Sequence, residues 1–438
     1  LVRQHTSSTR KNHFFDRRRR IWLIVVLVLA LAGMGLAGPL ARLLSRPAEH
    51  AAPTPLERRG QGFGQRDSRV GYAFLVHNPD AEQAVQNAEY RLTAYDAAGA
   101  ALSSEAGPIV LVLPGETLGI GGSLTIAADT TVARVGLELQ GGSRAAVRSS
   151  PPLSVDTVRY HEADNDAAAS GVVHNPFAGA ISDVRVSAVA YDSNGHIIGG
   201  GAGYVAFVPA AGALGSITAL DAGGSVARVE MYAAFSDKSV VIAPGEGMAP
   251  GTRPPALAAQ GFGQAGRRLG YGLLLDNPNP DHVVQGCRYH LTAYAADGSV
   301  LATDAGRIEL LRPSETLGVA GVVMLESDEV VARLEAHILA DRVLMSGQIP
   351  AFGISDVTYQ ADGRVTGQVV SPYPQRVTAV RVTAIAYDAA GAIVGGGYTT
   401  LDAIAAQARE TVDVPVVTSG VPARVALYAT RTALTTFE

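Results

Sequence analysis

The segment Val184–Gly195 reads VRVSAVAYDSNG. Its apolar side chains alternate: Val184, Val186, Ala188 and Ala190 point one way, Arg185, Ser187 and Tyr191 the other. A period of two is that of a half-buried β-strand, with the odd-numbered face expected to meet solvent. The Asp-x-x-Gly that follows the tyrosine is turn chemistry, because Asp bonds back to the backbone and Gly accepts a positive φ. The stretch recurs as VRVTAIAYDAAG at Val380–Gly391, and more loosely as EYRLTAYDAAG at Glu89–Gly99 and RYHLTAYAADG at Arg288–Gly298. The repeated residues are Tyr95, Asp96 and Gly99; Tyr191, Asp192 and Gly195; Tyr294 and Gly298; and Tyr387, Asp388 and Gly391. Four strand–turn copies imply four domains of one kind. The fold class expected is all-β, with four tandem β-sandwiches.

Composition agrees with short strands joined by turns. The chain has 438 residues, 17% charged and 47% hydrophobic, with 49 glycines. A net charge of −5 supplies no field for nucleic acid, and no nucleic-acid partner is expected. The one cysteine, Cys287, excludes an intramolecular disulfide. Near the start, the run Arg17, Arg18, Arg19 and Arg20 precedes Ile21–Leu40, an uncharged stretch that opens Ile21-Trp22. At helical rise its length matches a hydrocarbon core of roughly 30 Å. The basic run then places residues 1–20 in the cytoplasm as a basic tail, residues 21–42 in the cell membrane as a single-pass helix, and the remainder outside. The competing reading is a signal peptide cut after Ala30-Leu31-Ala32.

Residues 43–59 read as a Pro- and charge-containing stalk. The first sandwich, A1, is expected at 60–148 and the second, B1, at 152–242. A Pro/Gly-rich hinge, 243–257, then leads to A2 at 258–345 and B2 at 352–438. A1 and A2 align without a gap: Gly62-Phe63-Gly64-Gln65 with Gly261-Phe262-Gly263-Gln264, Asn78-Pro79 with Asn277-Pro278, Val132-Ala133-Arg134 with Val331-Ala332-Arg333. B1 and B2 share Tyr160 with Tyr359, Gly199-Gly200-Gly201 with Gly395-Gly396-Gly397, and Ala227-Arg228-Val229 with Ala423-Arg424-Val425. The duplicated unit is therefore an A–B block. The stretch 243–257, with four prolines and three glycines, is expected to be a looser link between two semi-rigid blocks.

Leu92-Thr93-Ala94-Tyr95-Asp96 and Ala384-Ile385-Ala386-Tyr387-Asp388 resemble the core motif of the FxLYD-type immunoglobulin-like domain. The Asn-Pro strand end and Pro114-Gly115-Glu116 fit the same pattern. The leading Phe is Leu or Ala here, and the third copy moves its acid to Asp297. The resemblance implies small immunoglobulin-like sandwiches of bacterial and archaeal envelope or secreted proteins, with no catalytic residues.

Candidate chemistry is sparse. His161-Glu162-Ala163-Asp164-Asn165-Asp166 is rich in oxygens but lacks calcium-loop spacing, so a solvated hairpin loop is the preferred reading. His77, His174 and Asp276 share one strand-end position without metal-ligand spacing. Cys287 aligns with Ala88 on an inward face, as a small core residue rather than a nucleophile. Gly199–Gly201 opens no helix and reads as a bulge or a close backbone contact. The four signature tyrosines are weighed between a row of exposed anchors and packing over their own turns, the latter preferred. No catalytic residue, metal or cofactor is expected. The functional expectation is a membrane-anchored extracytoplasmic, non-enzymatic scaffold or adhesion protein that contacts envelope proteins or surface polymers. The alternatives are a secreted binding or filament-forming protein and an accessory module for a cell-envelope enzyme.

Overall fold

The computed structural model describes residues 56–147, 151–162, 167–345 and 349–438. The expected basic tail, membrane helix and most of the stalk lie outside them, as do residues 163–166 of the acidic loop. Among the described residues no helix is long and apolar enough to cross a membrane. Among the described residues all regular structure is β, with the strands in antiparallel pairs, consistent with immunoglobulin-like sandwiches.

Strands β1 (Glu57–Arg66), β2 (Arg69–His77), β3 (Gln83–Tyr95), β4 (Ala101–Val112), β5 (Thr117–Thr125) and β6 (Arg134–Ala146) form unit A1. They make two three-stranded sheets, β1-β2-β5 and β4-β3-β6. The sheets close on Tyr72, Phe74, Tyr90, Leu92 and Ile109. Unit B1 holds β7 (Ser154–His161), β8 (Ala167–His174), β9 (Ala180–Tyr191), β10 (Ile197–Val208), β11 (Ala213–Ala222), β12 (Arg228–Phe235) and β13 (Val241–Ile242). Here Gly199 and Gly200 of β10 pair with Ala222 and Asp221 of β11, joining the layers into one sheet ordered β12-β9-β10-β11-β8-β7. The glycines take on this second partner right after a register shift between Ile197 and Gly199, so the triad is both bulge and close contact.

Unit A2 repeats A1 with β14 (Ala256–Ala265), β15 (Arg268–Asp276), β16 (His282–Tyr294), β17 (Val300–Leu311), β18 (Thr316–Met324) and β19 (Arg333–Met345). Unit B2 holds β20 (Gly353–Gln360), β21 (Arg364–Val370), β22 (Val377–Tyr387), β23 (Ile393–Ile404), β24 (Arg409–Pro415), β25 (Val417–Thr418) and β26 (Arg424–Arg431). The alternation reads true on the core side. Leu92, Val186, Leu291 and Val382 are all fully buried, with Tyr90 and Tyr289 beside them. The turn glycines Gly99, Gly195, Gly298 and Gly391 hold φ of 85°, 83°, 86° and 84°. Each turn is tied by an Asp oxygen that accepts a backbone N–H. Asp96 Oδ1 takes Ala100 N at 2.8 Å, and Asp297 serves the third copy through Ser299 N at 3.0 Å.

Strand ends depart from the sequence reading. β1 starts at Glu57, inside the expected stalk, with an irregularity between Arg58 and Gly60. β4 is one continuous strand of 12 residues. β6 and β19 run to Ala146 and Met345, close to the expected ends of A1 and A2. In each case pairing to a neighbouring strand holds residues whose own side chains are too polar or too small to announce a strand.

The outward faces of sheet β1-β2-β5 and of its A2 counterpart are covered by the B units. Sheet β1-β2-β5 lies against B1 with backbone touching backbone. A Cβ on Gly62 would stand 1.9 Å from the Ile197 carbonyl oxygen, one on Gly64 1.9 Å from the Gly223 nitrogen, and one on Gly71 1.9 Å from the Asp221 carbonyl oxygen. The second block repeats this. A Cβ on Gly261, Gly263 or Gly270 would stand 2.3, 2.1 or 2.2 Å from the carbonyl oxygens of Ile393, Val394 and Val417. Small apolar clusters fill the remaining space: Ala73, Val189 and Tyr191 in the first block, Ala320, Ile385, Tyr387 and Ile393 in the second.

Two substitutions separate the core from the interface. Val186→Asp buries an unpaired carboxylate and is expected to cost roughly 4 kcal/mol and unfold B1 in urea titration. Gly71→Val is expected to leave both units folded by circular dichroism but to cost roughly 3 kcal/mol of block stability by forcing the A1 and B1 backbones apart. A silent Gly71→Val would mean that the contact carries no stability.

Candidate functional site

The residues singled out by the repeats are brought to the unit surfaces in a constant pairing. Tyr95, Tyr191, Tyr294 and Tyr387 stand opposite Arg134, Arg228, Arg333 and Arg424 on the neighbouring strand. The guanidinium carbons lie 3.9, 4.0, 3.9 and 3.8 Å from the ring centroids. Stacking of a planar cation on an aromatic face contributes about 0.5–1 kcal/mol where water reaches it. Tyr191, Tyr294 and Tyr387 are buried, so they form no exposed row of anchors; they pack under arginine and, in the B units, against the preceding A unit. The arginine of Val-Ala-Arg was visible in the repeats, but its partner was not, because cross-strand register links residues about forty apart.

The Asn of Asn-Pro does more than end a strand. Asn78 Nδ2 donates to the carbonyls of Gln83, Val112 and Leu113 at 2.8, 3.2 and 3.1 Å. Asn175 and Asn277 do the same to their own loops. The neighbouring strand-end residues make separate pairs: His77 Nδ1 to Thr117 Oγ1 at 3.0 Å, His174 Nε2 to Asp156 Oδ2 at 3.0 Å, and Thr316 Oγ1 donating to Asp276 Oδ1 at 2.5 Å. Among the described residues no group of three or more His, Cys, Asp or Glu is placed to hold a metal. Cys287 is buried and its thiol pKa is pushed up to about 12 by burial, so it carries no thiolate at neutral pH.

A polar cluster that the sequence did not nominate sits where A meets B. Tyr72 and Tyr90 bring their hydroxyls within 3.4 Å of each other, and Tyr90 donates to Glu105 at 3.5 Å. Arg185 of B1 closes the cluster: its Nη2 donates to the Gly121 carbonyl at 2.6 Å and its Nη1 to Tyr204 Oη at 3.2 Å. The second block repeats the constellation with Tyr271, Tyr289, Asp304 and Arg381, whose Nη2 donates to the Ala320 carbonyl at 2.9 Å. Burial raises the pKa of Tyr72 and of Tyr271 above the ordinary phenol range, so both stay protonated donors. This corrects the expectation that Arg185 faces solvent: the odd-numbered face of β9 is covered by A1.

A third junction lies between B1 and A2. Both backbone polar atoms of Gly215 are taken by β16 side chains: its N–H donates to Thr292 Oγ1 at 2.9 Å, and His290 Nε2 lies 2.9 Å from its carbonyl oxygen. Arg288 Nη1 donates to the Ala206 carbonyl at 3.0 Å, and Arg159 grips Glu329 with two bonds of 2.9 and 2.5 Å. The connecting stretch 243–257, expected to be loose, is pinned to A2. Ala249 N donates to the Val343 carbonyl at 3.2 Å, Val343 N to the Gly247 carbonyl at 2.9 Å, and Arg253 N to Asn279 Oδ1 at 2.9 Å. Beside it opens a cleft of about 710 Å³ lined by Glu246, Gln285, Arg307, Glu309, Asp341 and Arg342. An apolar slot of about 340 Å³ adjoins it, walled by Phe207, Ile242, Met248, Pro254 and Ile338. The cleft's Arg307 is committed to Asp341 and Glu309, at 2.7 and 3.0 Å.

No protein-family model matches the chain, and no curated protein matches it significantly. Among solved structures, a red sea bream transglutaminase aligns over 46% of this chain and 32% of its own, at 14% identity and a TM-score of 0.14. Escherichia coli alpha-2-macroglobulin activated by porcine elastase aligns over 85% of this chain and 42% of its own, at 10% identity and a TM-score of 0.14. The chain thus spans less than half the length of either, and likeness at that level carries no functional argument.

Two side chains at the A1–B1 contact yield testable outcomes. Arg185→Asp is expected to cost roughly 3 kcal/mol, because a carboxylate would face the Gly121 carbonyl with no donor; urea titration beside Arg91→Asp, on an exposed face of A1, is the comparison. The Glu116 carboxyl pKa is raised to about 7 by burial, against one bond from Leu113 N at 2.6 Å. The folded state then holds a proton that the unfolded chain has lost. Stability from this group is complete below about pH 4.5 and falls as pH rises towards 7. Glu116→Gln is expected to remove that slope and to stabilise A1 by roughly 2 kcal/mol at pH 8, with no gain at pH 4.

Proposed function

We propose that the protein is a non-enzymatic scaffold or adhesion protein of the cell envelope, in which four tandem immunoglobulin-like sandwiches stand outside a membrane anchored by Ile21–Leu40. The observation that supports this reading is where the chain places its polar and glycine residues. Tyr72, Tyr90, Glu105 and Arg185 join A1 to B1, and Thr292, His290 and Arg288 join B1 to A2. Tyr271, Tyr289, Asp304 and Arg381 join A2 to B2. The invested chemistry fixes units in series rather than activating a substrate. A chain of docked sandwiches spaces and presents surfaces, the task of a stalked envelope protein. The resemblance to FxLYD-type repeats points the same way. Its partners are then the membrane, through the helix, and envelope proteins or surface polymers.

The reading is tested by topology and capture together. Protease added to intact cells stripped of any outer barrier is expected to digest the chain beyond Arg42, and replacing Arg17–Arg20 by glutamates is expected to weaken or invert insertion. Full protection of the repeats would overturn the envelope assignment. Affinity capture from the native envelope with residues 60–438 is expected to recover a specific partner. A mature N-terminus near Gly33 in mass spectrometry would instead select the secreted form.

A further inference from the structure

The face of A2 that docks on B1 differs from its counterpart in A1 at a cross-strand pair in its centre. His290 and His337 are direct cross-strand neighbours on β16 and β19. The positions 199 residues earlier, Arg91 and Glu138, are also cross-strand neighbours, and they are exposed. The free face thus carries two residues of opposite charge, while the docked face carries two imidazoles. His290 is 5% exposed. Its Nε2 faces the Gly215 carbonyl, which only accepts, so Nε2 carries the hydrogen and Nδ1 is left buried with no partner. His337 is held against the Ala213 backbone, its Nε2 3.6 Å from Glu335 Oε1. We propose that the B1–A2 junction is an acid-operated latch, closed while His290 and His337 are neutral and released when they are protonated.

Protonating His290 would place a cation in a dry interface beside a second imidazole. The charged and titratable groups around it are Arg288, Tyr294, His337, Glu335 and Asp341 on A2, and His174 with Asp156 on the facing sheet of B1. Asp341 is already paired with Arg288 and Arg307, and Glu335 with Arg333; Glu335 lies beside His337 and partly offsets the burial there, whereas no carboxylate contacts His290. Burial, with the repulsion of His337, holds His290 down at about 4, against 6.5 for the open imidazole. The His337 pKa is lowered too, mainly by burial. Because the closed state binds its proton less readily than the open one, latch stability is complete above about pH 6.5 and is lost as pH falls towards 4. At pH 5 the His290 term alone favours opening by about 30-fold.

The test reads the Gly215 amide, which the latch protects through Thr292. Deuterium exchange of the full chain is followed by mass spectrometry in the peptide covering Ala213–Ile217, corrected for intrinsic exchange, at pH 7.5 and pH 5. A peptide from β22 around Val382 serves as the folded reference. The expected result is a loss of Gly215 protection of about 30-fold or more at pH 5, with the β22 peptide unchanged. His290→Gln, whose amide still donates to the Gly215 carbonyl, is expected to keep the pH 7.5 protection and abolish the drop. His337→Gln is expected to shrink the drop, and it decides the question if His290→Gln is already open at pH 7.5. Protection independent of pH, a drop unchanged in both variants, or parallel loss in β22 would overturn the proposal.

Discussion

Main chains of neighbouring units approach too closely for a Cβ to stand between them, and the rest of the structure follows from that constraint. Gly62, Gly64 and Gly71 of A1 meet the backbone of Ile197, Gly223 and Asp221 in B1, and their counterparts do the same in the second block. At such distances a side chain on either surface would prise the sheets apart, so the contact selects glycine on both sides. The same contact explains why β10 turns at its glycine triad and joins β11: the strand bends to follow the A sheet it packs on. Two otherwise ordinary sandwiches therefore behave as one packing unit.

Once backbones are that close, the polar atoms between them have no water to turn to. The structure answers with side chains of fixed geometry. Arginines 185 and 381 reach across to the carbonyls of Gly121 and Ala320. Paired tyrosine hydroxyls and a carboxylate complete each cluster. At the B1–A2 junction Thr292 and His290 serve Gly215 as a neighbouring strand would, capping an edge that would otherwise be open to pairing. Some titratable groups are consequently buried between units. Glu116 and His290 respond to pH in opposite senses, because burial penalises the charged form of each and the charged forms lie on opposite sides of their titrations.

The residues of the B1–A2 junction are not repeated in the other A and B units. Gly215 of β11 corresponds to Thr411 of β24, and a Cβ at Gly215 would lie 2.3 Å from Thr292 Cγ2. B2 therefore cannot receive an A face in the way that B1 does. A1 shows Arg91 and Glu138 where A2 has its histidines. Thr411 in B2 and the Arg91–Glu138 positions in A1 thus depart from the residues that make the B1–A2 contact.

The sequence alone determined the strand alternation, the four turns and the block duplication. These are local or translational signals: Val184, Val186, Ala188 and Ala190 mark a buried face by period, Asp192 and Gly195 mark a turn by chemistry, and a 199-residue offset marks a repeat. It also flagged Gly199–Gly201 as a bulge or close contact, since three glycines in a strand have no packing reason of their own. What it could not carry was the identity of the second face. Arg185 and Tyr191 looked solvated because alternation distinguishes only two sides, not whether the polar side meets water or another domain. The pairing of Arg228 with Tyr191, the cluster around Tyr72 and the hold of His290 on Gly215 join residues about 40 to 110 positions apart. Only tertiary structure decided these, because the stabilisation arises when two surfaces meet and exclude water, and neither surface records that meeting in its own local pattern.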